Sequence, residues 1–392
     1  MTAIRLAATT LLTIVALTCD ITGVIAQTIV ESGSPRESDL VLADEPVVRV
    51  GMLDGPVEYL FGNITGAVRL NDGSVVVADE QSHEVRLFNA RGGHVWTSGR
   101  EGEGPGEYQG LWLLRECQGV TVTVYDWQLK RITELDSNGH VVGTQALRGA
   151  GGPGPHGAPA CSPGGGLVFT DWPDSEQEAV GEFRWEMSLS WARDDGVATL
   201  RSGIPGRELY YHGGGGVVGP VTWGRDMAFA VTATGVWYGS ADDYELEHVD
   251  WTGRVTRVAR WNGPGLEVTR EHLDRYRDSH LARYETAEER RSFERGRWPE
   301  IRDGLPERFP AFVERGLLPL PDGSVWVVPH PLRDLEGRAE SHLLGPDGTW
   351  LHRLMIPSGR TLLDAGPGWV LLLEKGEFDE QSVAVYELVE GS

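Results

Sequence analysis

The sequence is poor in cysteine, has no excess of positive charge and, beyond its first residues, has no long apolar run. Three of its 392 residues are cysteine, and none of them forms the CxxC spacing of common zinc and redox sites. The formal net charge is −23 and no segment is dominated by Lys or Arg, which predicts that nucleic acid and anionic membranes are not partners. No later segment reaches the ~20 apolar residues that a transmembrane helix needs.

The first 26 residues have the pattern of a secretory signal peptide. Arg5 forms the basic start, residues 6–17 form the apolar stretch, and small residues suit cleavage after Ala26. We therefore expect a signal peptide at 1–26, a linker at 27–45 and a secreted or periplasmic protein. After cleavage, Cys117 and Cys161 remain in an oxidising compartment, where the sequence allows a disulfide between them without requiring it.

Glycine, proline and tryptophan are abundant. The chain contains 52 Gly, 22 Pro and 14 Trp, a composition typical of many short strands joined by tight turns. Similar units recur with a period of about 46 residues. Residues 66–99 alternate β-rich runs with the turns NDG and ARGG, and residues 111–147 repeat that order. Each unit predicts four antiparallel strands.

Further copies predict an all-β fold, a six-bladed β-propeller with four-stranded antiparallel blades. A third unit occupies 159–202, a fourth begins at DMAFAV, a fifth begins at LLPLPDG, and a sixth has only three strands near the C-terminus. The strand PVVRVG at 46–51 is expected to complete that last blade, so that the ring has no open edge. Residues 46–390 are therefore predicted to form a single domain.

Residues 266–315 interrupt the repeats. Tyr276, His280 and Tyr284 fall at helical spacing, and Thr269 stands before them as a helix start. We expect a helical insertion between blades four and five. Its acidic residues and arginines nearly balance, which favours a solvated helix that covers one face of the ring over a helix that binds a partner.

The unit GAVRLNDGSVVVADEQSHEVRLFNARGGHVWTSGREGEGPGEY resembles an NHL-type blade. Residues 46–390 are similar to the secreted bacterial six-bladed propellers often grouped with TolB-like propellers. The segments TWGRDMAFAV, VTREHLDRY and LPERFPAFVERG also resemble sequence features of that family. The resemblance implies a propeller fold and export. It implies no reaction, because most members of that family are uncharacterised exported proteins.

The motif GPxEY occurs at 55–59 and again at 104–108, each time after an outermost strand. A loop at that place must cross from the rim of a blade to the axis, and glycine and proline suit such a crossing. The motif is therefore interpreted as a connector. The alternative is a binding loop whose acidic residues, Glu101, Glu103 and Glu107, face the mouth of the channel.

Asp79, Asp126 and Asp171 close the second strand of three successive units. In NHL-type blades the equivalent aspartate resembles a turn cap that accepts hydrogen bonds from backbone N–H groups. The alternative places the three carboxylates around the channel as ligands of Ca²⁺ or another hard cation. The turn cap is preferred, so no cofactor is predicted and Ca²⁺ remains the alternative.

Three further residues are candidates for binding. His330 lies between prolines at the end of a strand, where it could be a ligand or base at the channel mouth or a structural histidine. Trp127 and Trp172 each follow a repeated aspartate. An indole in such a turn could stack on a sugar ring or pack against neighbouring strands.

Several enzyme signatures are absent, namely GxSxG, HExxH, a P-loop and a GxGxxG placed between a strand and a helix. Their absence favours a non-catalytic exported propeller that binds a protein, peptide or glycan on one face of the ring. The competing hypothesis is a metal-dependent hydrolase or lyase of the propeller lactonase type. Such an enzyme takes its metal ligands from separate blades and leaves no local motif. The sequence predicts no oligomeric state.

Overall fold

A computed structural model of the chain describes residues 27–114, 117, 122–147, 155–172, 180–211, 218–330 and 338–391. The predicted signal peptide at 1–26 lies outside these residues. The described part is mostly β-strand, arranged in antiparallel sheets, with three α-helices and a 3₁₀ turn at Val57–Tyr59. None of the helices described is long and apolar enough to cross a membrane.

The strands of the first half of the chain follow the predicted units. Three strands come before the first antiparallel sheet: β1 (Thr28–Ser32), β2 (Leu40–Leu42) and β3 (Val48–Val50). The first sheet contains β4 (Ile64–Arg69), β5 (Val75–Asp79), β6 (Glu84–Phe88) and β7 (His94–Ser98). The second contains β8 (Leu111–Leu114), β9 (Val122–Asp126), β10 (Arg131–Leu135) and β11 (Val141–Ala146). The next contains β12 (Pro155–Cys161), β13 (Leu167–Asp171), β14 (Gly181–Arg193), β15 (Gly196–Tyr211) and β16 (Val218–Pro220).

The second half of the chain continues in the same way. One sheet contains β17 (Ala228–Thr232), β18 (Gly235–Gly239), β19 (Glu245–Asp250) and β20 (Val255–Trp261). The strands that follow are β21 (Leu317–Pro319), β22 (Val325–Val327), β23 (Arg338–Leu344) and β24 (Trp350–Pro357). The last are β25 (Arg360–Gly366), β26 (Trp369–Lys375) and β27 (Gln381–Glu390). β2 connects these last two groups by pairing with both β24 and β27.

The second strands of three sheets are buried on both faces, whereas the fourth strand of the second sheet is exposed. Every residue of β5, β9 and β18 is buried, and β11 has no buried residue. A run such as VVVAD is apolar on both faces because another sheet packs on each side of it, while an outer strand faces water. The NDG turn between β4 and β5 depends on Gly73, whose φ of 86° lies in the left-handed region.

The first strands of the sheets contact one another in a closed cycle. β4 contacts β8, the contacts continue in order through β12, β17, β21 and β25, and β25 contacts β4 again. Sheets whose first strands surround a common axis form a β-propeller. The described residues therefore have the propeller fold that the repeats predict.

The hydrophobic core lies between neighbouring sheets. Val76 and Val85 of the first sheet pack in one apolar cluster with Leu111 and Val124 of the second. Trp237 of β18 is 2% exposed and belongs to a cluster that includes residues of β21, β22 and β24. Stability therefore depends on contacts between sheets as much as on strand pairing within them.

Residues 27–50 run along the outer strands of several sheets. β1 pairs in parallel with β20 at the edge of its sheet. β3 pairs with β27 and places Val50 opposite Val383, which is the pairing predicted from the sequence. Residues 27–45 were expected to be a linker, but they contain β1 and β2. These strands are short and have no buried residue, so they leave no hydrophobic pattern to detect.

A disulfide joins Cys117 to Cys161, with Cα atoms 5.4 Å apart. Cys117 follows β8 and Cys161 ends β12, so the bond connects two neighbouring sheets. The sequence left this pairing open because it could not provide the distance between the two residues.

Three helices lie between β20 and β21 in the described chain: α1 (Arg270–Leu281), α2 (Ala287–Arg295) and α3 (Arg297–Asp303). Thr269 begins α1 with a capping box, in which its hydroxyl accepts from the His272 N–H and its own N–H donates to His272 Nδ1. The Tyr276 ring packs 4.7 Å from that of Trp223. The helices therefore cover the turn that leads into β17.

Candidate functional site

Two of the repeated aspartates cap turns at the ends of second strands. Asp79 accepts hydrogen bonds of 2.8 to 3.2 Å from the N–H groups of Gly62, Asn63 and Gln81. Asp126 accepts four hydrogen bonds of 2.8 to 3.3 Å, from the N–H groups of Gln109, Gly110, Gln128 and Leu129. Each carboxylate joins the hairpin after its strand to the loop that enters the sheet. This is the role that the turn-cap interpretation assigns to them.

Asp171 occupies the matching end of β13 and is buried. Across the described ranges, no three His, Cys, Asp or Glu side chains lie close enough together to hold a metal ion. The three aspartates therefore do not converge on one point. A Ca²⁺ role for Asp79, Asp126 and Asp171 stays a prediction from the sequence.

The GPxEY loops are held by arginines of the third strands. Arg86 of β6 donates from Nη1 to the carbonyl oxygens of residues 57, 58 and 60, the shortest bond being 2.7 Å to Leu60 O. Arg131 of β10 donates to the carbonyl oxygens of Glu103 and Glu107 in the next loop. The same contact thus recurs in two sheets, which supports the interpretation of the motif as a connector.

The three acidic side chains in and before the second GPxEY motif make different contacts. Glu107 accepts a 2.8 Å hydrogen bond from the Gly104 N–H and pairs with Arg100 at 2.6 Å. The Gly104 N–H, followed by Arg100, holds the pKa of Glu107 below its ordinary value. Glu103 accepts a bond of 3.2 Å from the Gln109 amide, and Glu101 is exposed. The three acids therefore have different contacts, and a binding role for them stays a prediction from the sequence.

His330 packs against an aromatic ring. Its ring stacks on Phe309 with centroids 5.3 Å apart and planes 28° apart. Burial lowers the pKa of His330 to about 4, so the imidazole is neutral near pH 7. These observations favour a structural role for His330.

The two candidate tryptophans, Trp127 and Trp172, differ in how accessible their rings are. Trp127 is 37% exposed, stacks on Trp112 at 6.2 Å with an interplanar angle of 27°, and donates its indole N–H to Glu80 at 3.1 Å. Trp172 meets Trp185 edge to face at 4.8 Å and packs against an apolar cluster between sheets. Trp127 therefore offers an accessible ring, whereas Trp172 contributes to packing.

Arg315 contacts two sheets other than its own. It lies just before β21, yet its Nη1 is 3.3 Å from Thr65 O in β4. Its guanidinium carbon is 4.9 Å from the centre of the Trp112 ring in β8. The side chain is accessible to water, but desolvation lowers the pKa of Arg315, and the neighbouring Glu314 opposes that effect.

Glu314 contacts different sheets from those that Arg315 contacts. Its carboxylate pairs with Arg207 of β15, and Arg207 Nε also donates to Asp226 at 2.6 Å, just before β17. Burial lowers the pKa of Arg207, but the two carboxylates outweigh it, so the pKa of Arg207 is raised. Arg207 thus pairs with both carboxylates, Glu314 and Asp226. Within the part of the chain that is described, Arg315 forms no ion pair.

Arg315, Trp112 and Trp127 form what we call the channel-mouth site. A guanidinium with unused N–H donors can bind carboxylate or hydroxyl oxygens, and an accessible indole beside it can stack on a flat ring. The sequence predicted Trp127 but missed Trp112 and Arg315. The signal that could have revealed Arg315 is a charged pair, Glu314 with Arg315, directly before a first strand.

The chain matches no protein-family model, and no curated protein matches it in sequence. Solved structures share the fold. One is a candidate exported protein from Bacteroides fragilis NCTC 9343, with 11% identity over 94% of this chain and 100% of its own, and a TM-score of 0.52. A DUF4221 family member from Bacteroides vulgatus has 9% identity over 91% of this chain and 100% of its own, and a TM-score of 0.50.

A gluconolactonase from Xanthomonas campestris is more distant. It has 12% identity over 89% of this chain and 98% of its own chain, with a TM-score of 0.45. At such identities a shared fold says nothing about activity, because unrelated functions occur on the same propeller architecture.

Proposed function

We propose that this protein is an exported six-bladed β-propeller that binds a ligand at the channel-mouth site. Each of the first strands β4, β8, β12, β17, β21 and β25 begins one blade in this proposal, and β3 completes the last blade. The helices between β20 and β21 are then an insertion between the fourth and fifth blades. Export is supported by the signal-peptide pattern at 1–26.

The position of Arg315 carries the binding proposal. Its guanidinium is stacked on Trp112 and its one hydrogen bond within the described residues goes to Thr65 O. Several N–H donors therefore remain for a ligand. Trp127 extends the same surface with an accessible ring. A peptide or glycan that carries a carboxylate beside a ring fits this combination best.

The test is a titration followed by tryptophan fluorescence. The probes are glucuronic acid, glucose, and an aromatic dipeptide with either a free or an amidated C-terminus. We expect binding of the probes that carry a carboxylate, and a loss of at least about tenfold in affinity in Arg315→Met, since a charge-assisted hydrogen bond contributes about 1.5 to 3 kcal/mol. Arg270→Met is the matched control, because the Arg270 side chain is 94% exposed on α1.

Equal affinity for wild type and Arg315→Met would refute the site, and so would equal affinity for charged and uncharged probes. The competing metal-dependent hydrolase or lyase predicts a different result. In that case Ca²⁺ or Zn²⁺ alone raises the melting temperature, because a metal that binds only the native state stabilises it. A metal-dependent rise without carboxylate binding would replace the binding proposal with the enzymatic one.

A further inference from the structure

A cavity of about 360 Å³ lies beside the place where β3 joins β27. β3, β26 and the connection between β24 and β25 contribute to its wall. Its charged residues are Arg49, Arg360, Lys375, Glu374 and Glu380. The cavity shares no residue with the channel-mouth site, so an inference about it does not depend on the proposed function.

The sheet beside the cavity lacks two features of the first sheet. In the first sheet, Arg86 stands opposite Val77, two residues before Asp79, and holds a GPxEY loop. In the last sheet, Leu372 lies two residues before Glu374. The residue opposite Leu372 on the third strand is Ala384, which takes the place of the arginine. The connection that enters this sheet consists only of residues 358–359, between β24 and β25. No loop and no arginine of the third strand therefore fill the space.

The buried carboxylate in the cavity wall is already neutralised. Glu374 is 7% exposed, pairs with Arg49 and, at 2.9 Å, with Arg360 Nε, and accepts a 2.8 Å hydrogen bond from the Tyr386 hydroxyl. Two guanidinium groups thus share one carboxylate. Arg49 also donates from Nη2 to the Tyr386 hydroxyl at 3.1 Å, and both guanidinium groups retain further N–H donors.

Lys375 adds a further positive charge. In the described ranges its ammonium group forms no ion pair and no hydrogen bond. Lys375 and Lys130 are the only lysines of the whole chain. The carboxylate of Glu380, by contrast, accepts a 2.9 Å bond from the Phe378 N–H. The wall of the cavity therefore carries an excess of positive charge in a protein whose net charge is −23, and an anion would be attracted to it.

The donors approach the cavity from different elements. Arg49 comes from β3, Arg360 begins β25 and Lys375 ends β26, while the hydroxyl groups of Ser358 and Ser382 also line the space. Donors spread in this way suit a tetrahedral oxyanion with three or four oxygens better than a planar carboxylate. We propose that this cavity binds a phosphate or sulfate monoester with an apolar substituent.

The apolar substituent follows from the edge of the cavity. Met52 and Leu53 line it and are 39% and 56% exposed. Phe378, in the hairpin between β26 and β27, is 71% exposed. Apolar side chains that remain accessible beside a polar cavity would be covered by the organic part of such an ester.

Reductive methylation of lysine with ¹³C-formaldehyde gives a direct test on the whole protein, because the modified lysine keeps its charge. The spectrum contains one signal from Lys375 and one from Lys130, besides that of the N-terminal amine, and the variants Lys375→Met and Lys130→Met assign them. Phenyl phosphate, phenyl sulfate, inorganic phosphate and benzoate are the probes. We expect an ester to shift the Lys375 signal and to leave the Lys130 signal in place.

Calorimetry supplies the affinities. We expect Lys375→Met to weaken ester binding about tenfold, equivalent to about 1.4 kcal/mol, and Lys130→Met to leave it unchanged. Glu374→Gln removes a negative charge from the wall and is expected to strengthen binding. The preferred ester, phosphate or sulfate, identifies the anion.

Three results would overturn the proposal. The first is that no ester shifts the Lys375 signal at millimolar concentration, and the second is that benzoate binds as tightly as the esters. The third is equal binding by wild type and Lys375→Met. Inorganic phosphate that binds as tightly as phenyl phosphate would disprove the part played by Met52 and Leu53.

Discussion

Val50 of β3 pairs with Val383 of β27, which joins a strand near the start of the chain to a strand near its end. Val50 is 1% exposed and packs in a cluster with Phe88 of the first sheet and Leu371 of β26. The pairing therefore adds apolar burial as well as ladder hydrogen bonds, at the place where the last sheet meets the first.

Val50→Ala is expected to lower the free energy of unfolding by about 2 kcal/mol, because it removes buried methyl groups and leaves a small cavity. Val47→Ala is the matched control three residues earlier. Val47 is 53% exposed, so its truncation should change stability by no more than about 0.5 kcal/mol. Urea unfolding of the two variants measures both effects. Equal stability of the two variants would show that the β3 pairing contributes nothing to the fold.

Arg86→Met is expected to destabilise the protein by about 3 kcal/mol. Arg86 is 3% exposed, holds three carbonyl oxygens of the first GPxEY loop, and lies 3.8 Å from the Asp79 carboxylate. Its removal leaves buried acceptors without donors. Arg91→Met, at an exposed turn position, should be nearly neutral. Similar midpoints for both variants in urea would contradict the connector role of the arginine.

Much of the fold could be predicted because its signals are local. The turns NDG and ARGG, the apolar second strands and the aspartates that close them are all visible within a few residues of one another. The pairing of PVVRVG with the last sheet was inferred from the missing strand of the sixth unit, since an unpaired strand edge is unfavourable. The turn-cap role of Asp79 and Asp126 was implied by the resemblance to NHL-type blades and by the recurrence of the aspartate at the same place in successive units.

Apart from Trp127, the residues of the two candidate sites could not be predicted, because they are distant in sequence. Arg315 meets Thr65 and Trp112 only after the ring closes, and Arg49 meets Glu374 only through β3. No spacing rule connects such residues. β1 and β2 could not be predicted for another reason, because short exposed strands obtain their structure from the neighbours with which they pair.

The disulfide should contribute to stability. Reduction of Cys117–Cys161 is expected to lower the free energy of unfolding by about 3 kcal/mol, because it frees the segment between the two cysteines in the unfolded state. The comparison is urea unfolding with and without dithiothreitol. The double variant Cys117→Ser, Cys161→Ser serves as the control and should not respond to the reductant. A wild-type protein that also fails to respond would contradict the presence of the bond in solution.

The free energy of unfolding should decrease as the pH falls, because a buried histidine stays neutral in the folded protein at pH values at which it is protonated in the unfolded chain. His248 is 1% exposed, and its ring nitrogens contact Thr256 Oγ1 at 2.7 Å and Thr234 Oγ1 at 3.2 Å. Burial, followed by the charge of Arg257, lowers the pKa of His248 to about 4. A histidine in the unfolded chain titrates near ~6.5.

Above that unfolded value both states are neutral, and the contribution of His248 to stability is complete. Between about pH 6.5 and 4 the unfolded state binds the proton first, so stability decreases as the pH falls, by up to about 3 kcal/mol.

Replacement of His248 by Gln should therefore reduce the loss of stability between pH 7 and pH 4.5, as measured by urea unfolding at a series of pH values. His140→Gln is the control, because the His140 side chain is 78% exposed. Part of the pH dependence should persist in His248→Gln, since burial lowers the pKa of His330 to about 4 as well. Parallel pH profiles for wild type and His248→Gln would mean that His248 is protonated in the folded protein as readily as in the unfolded chain.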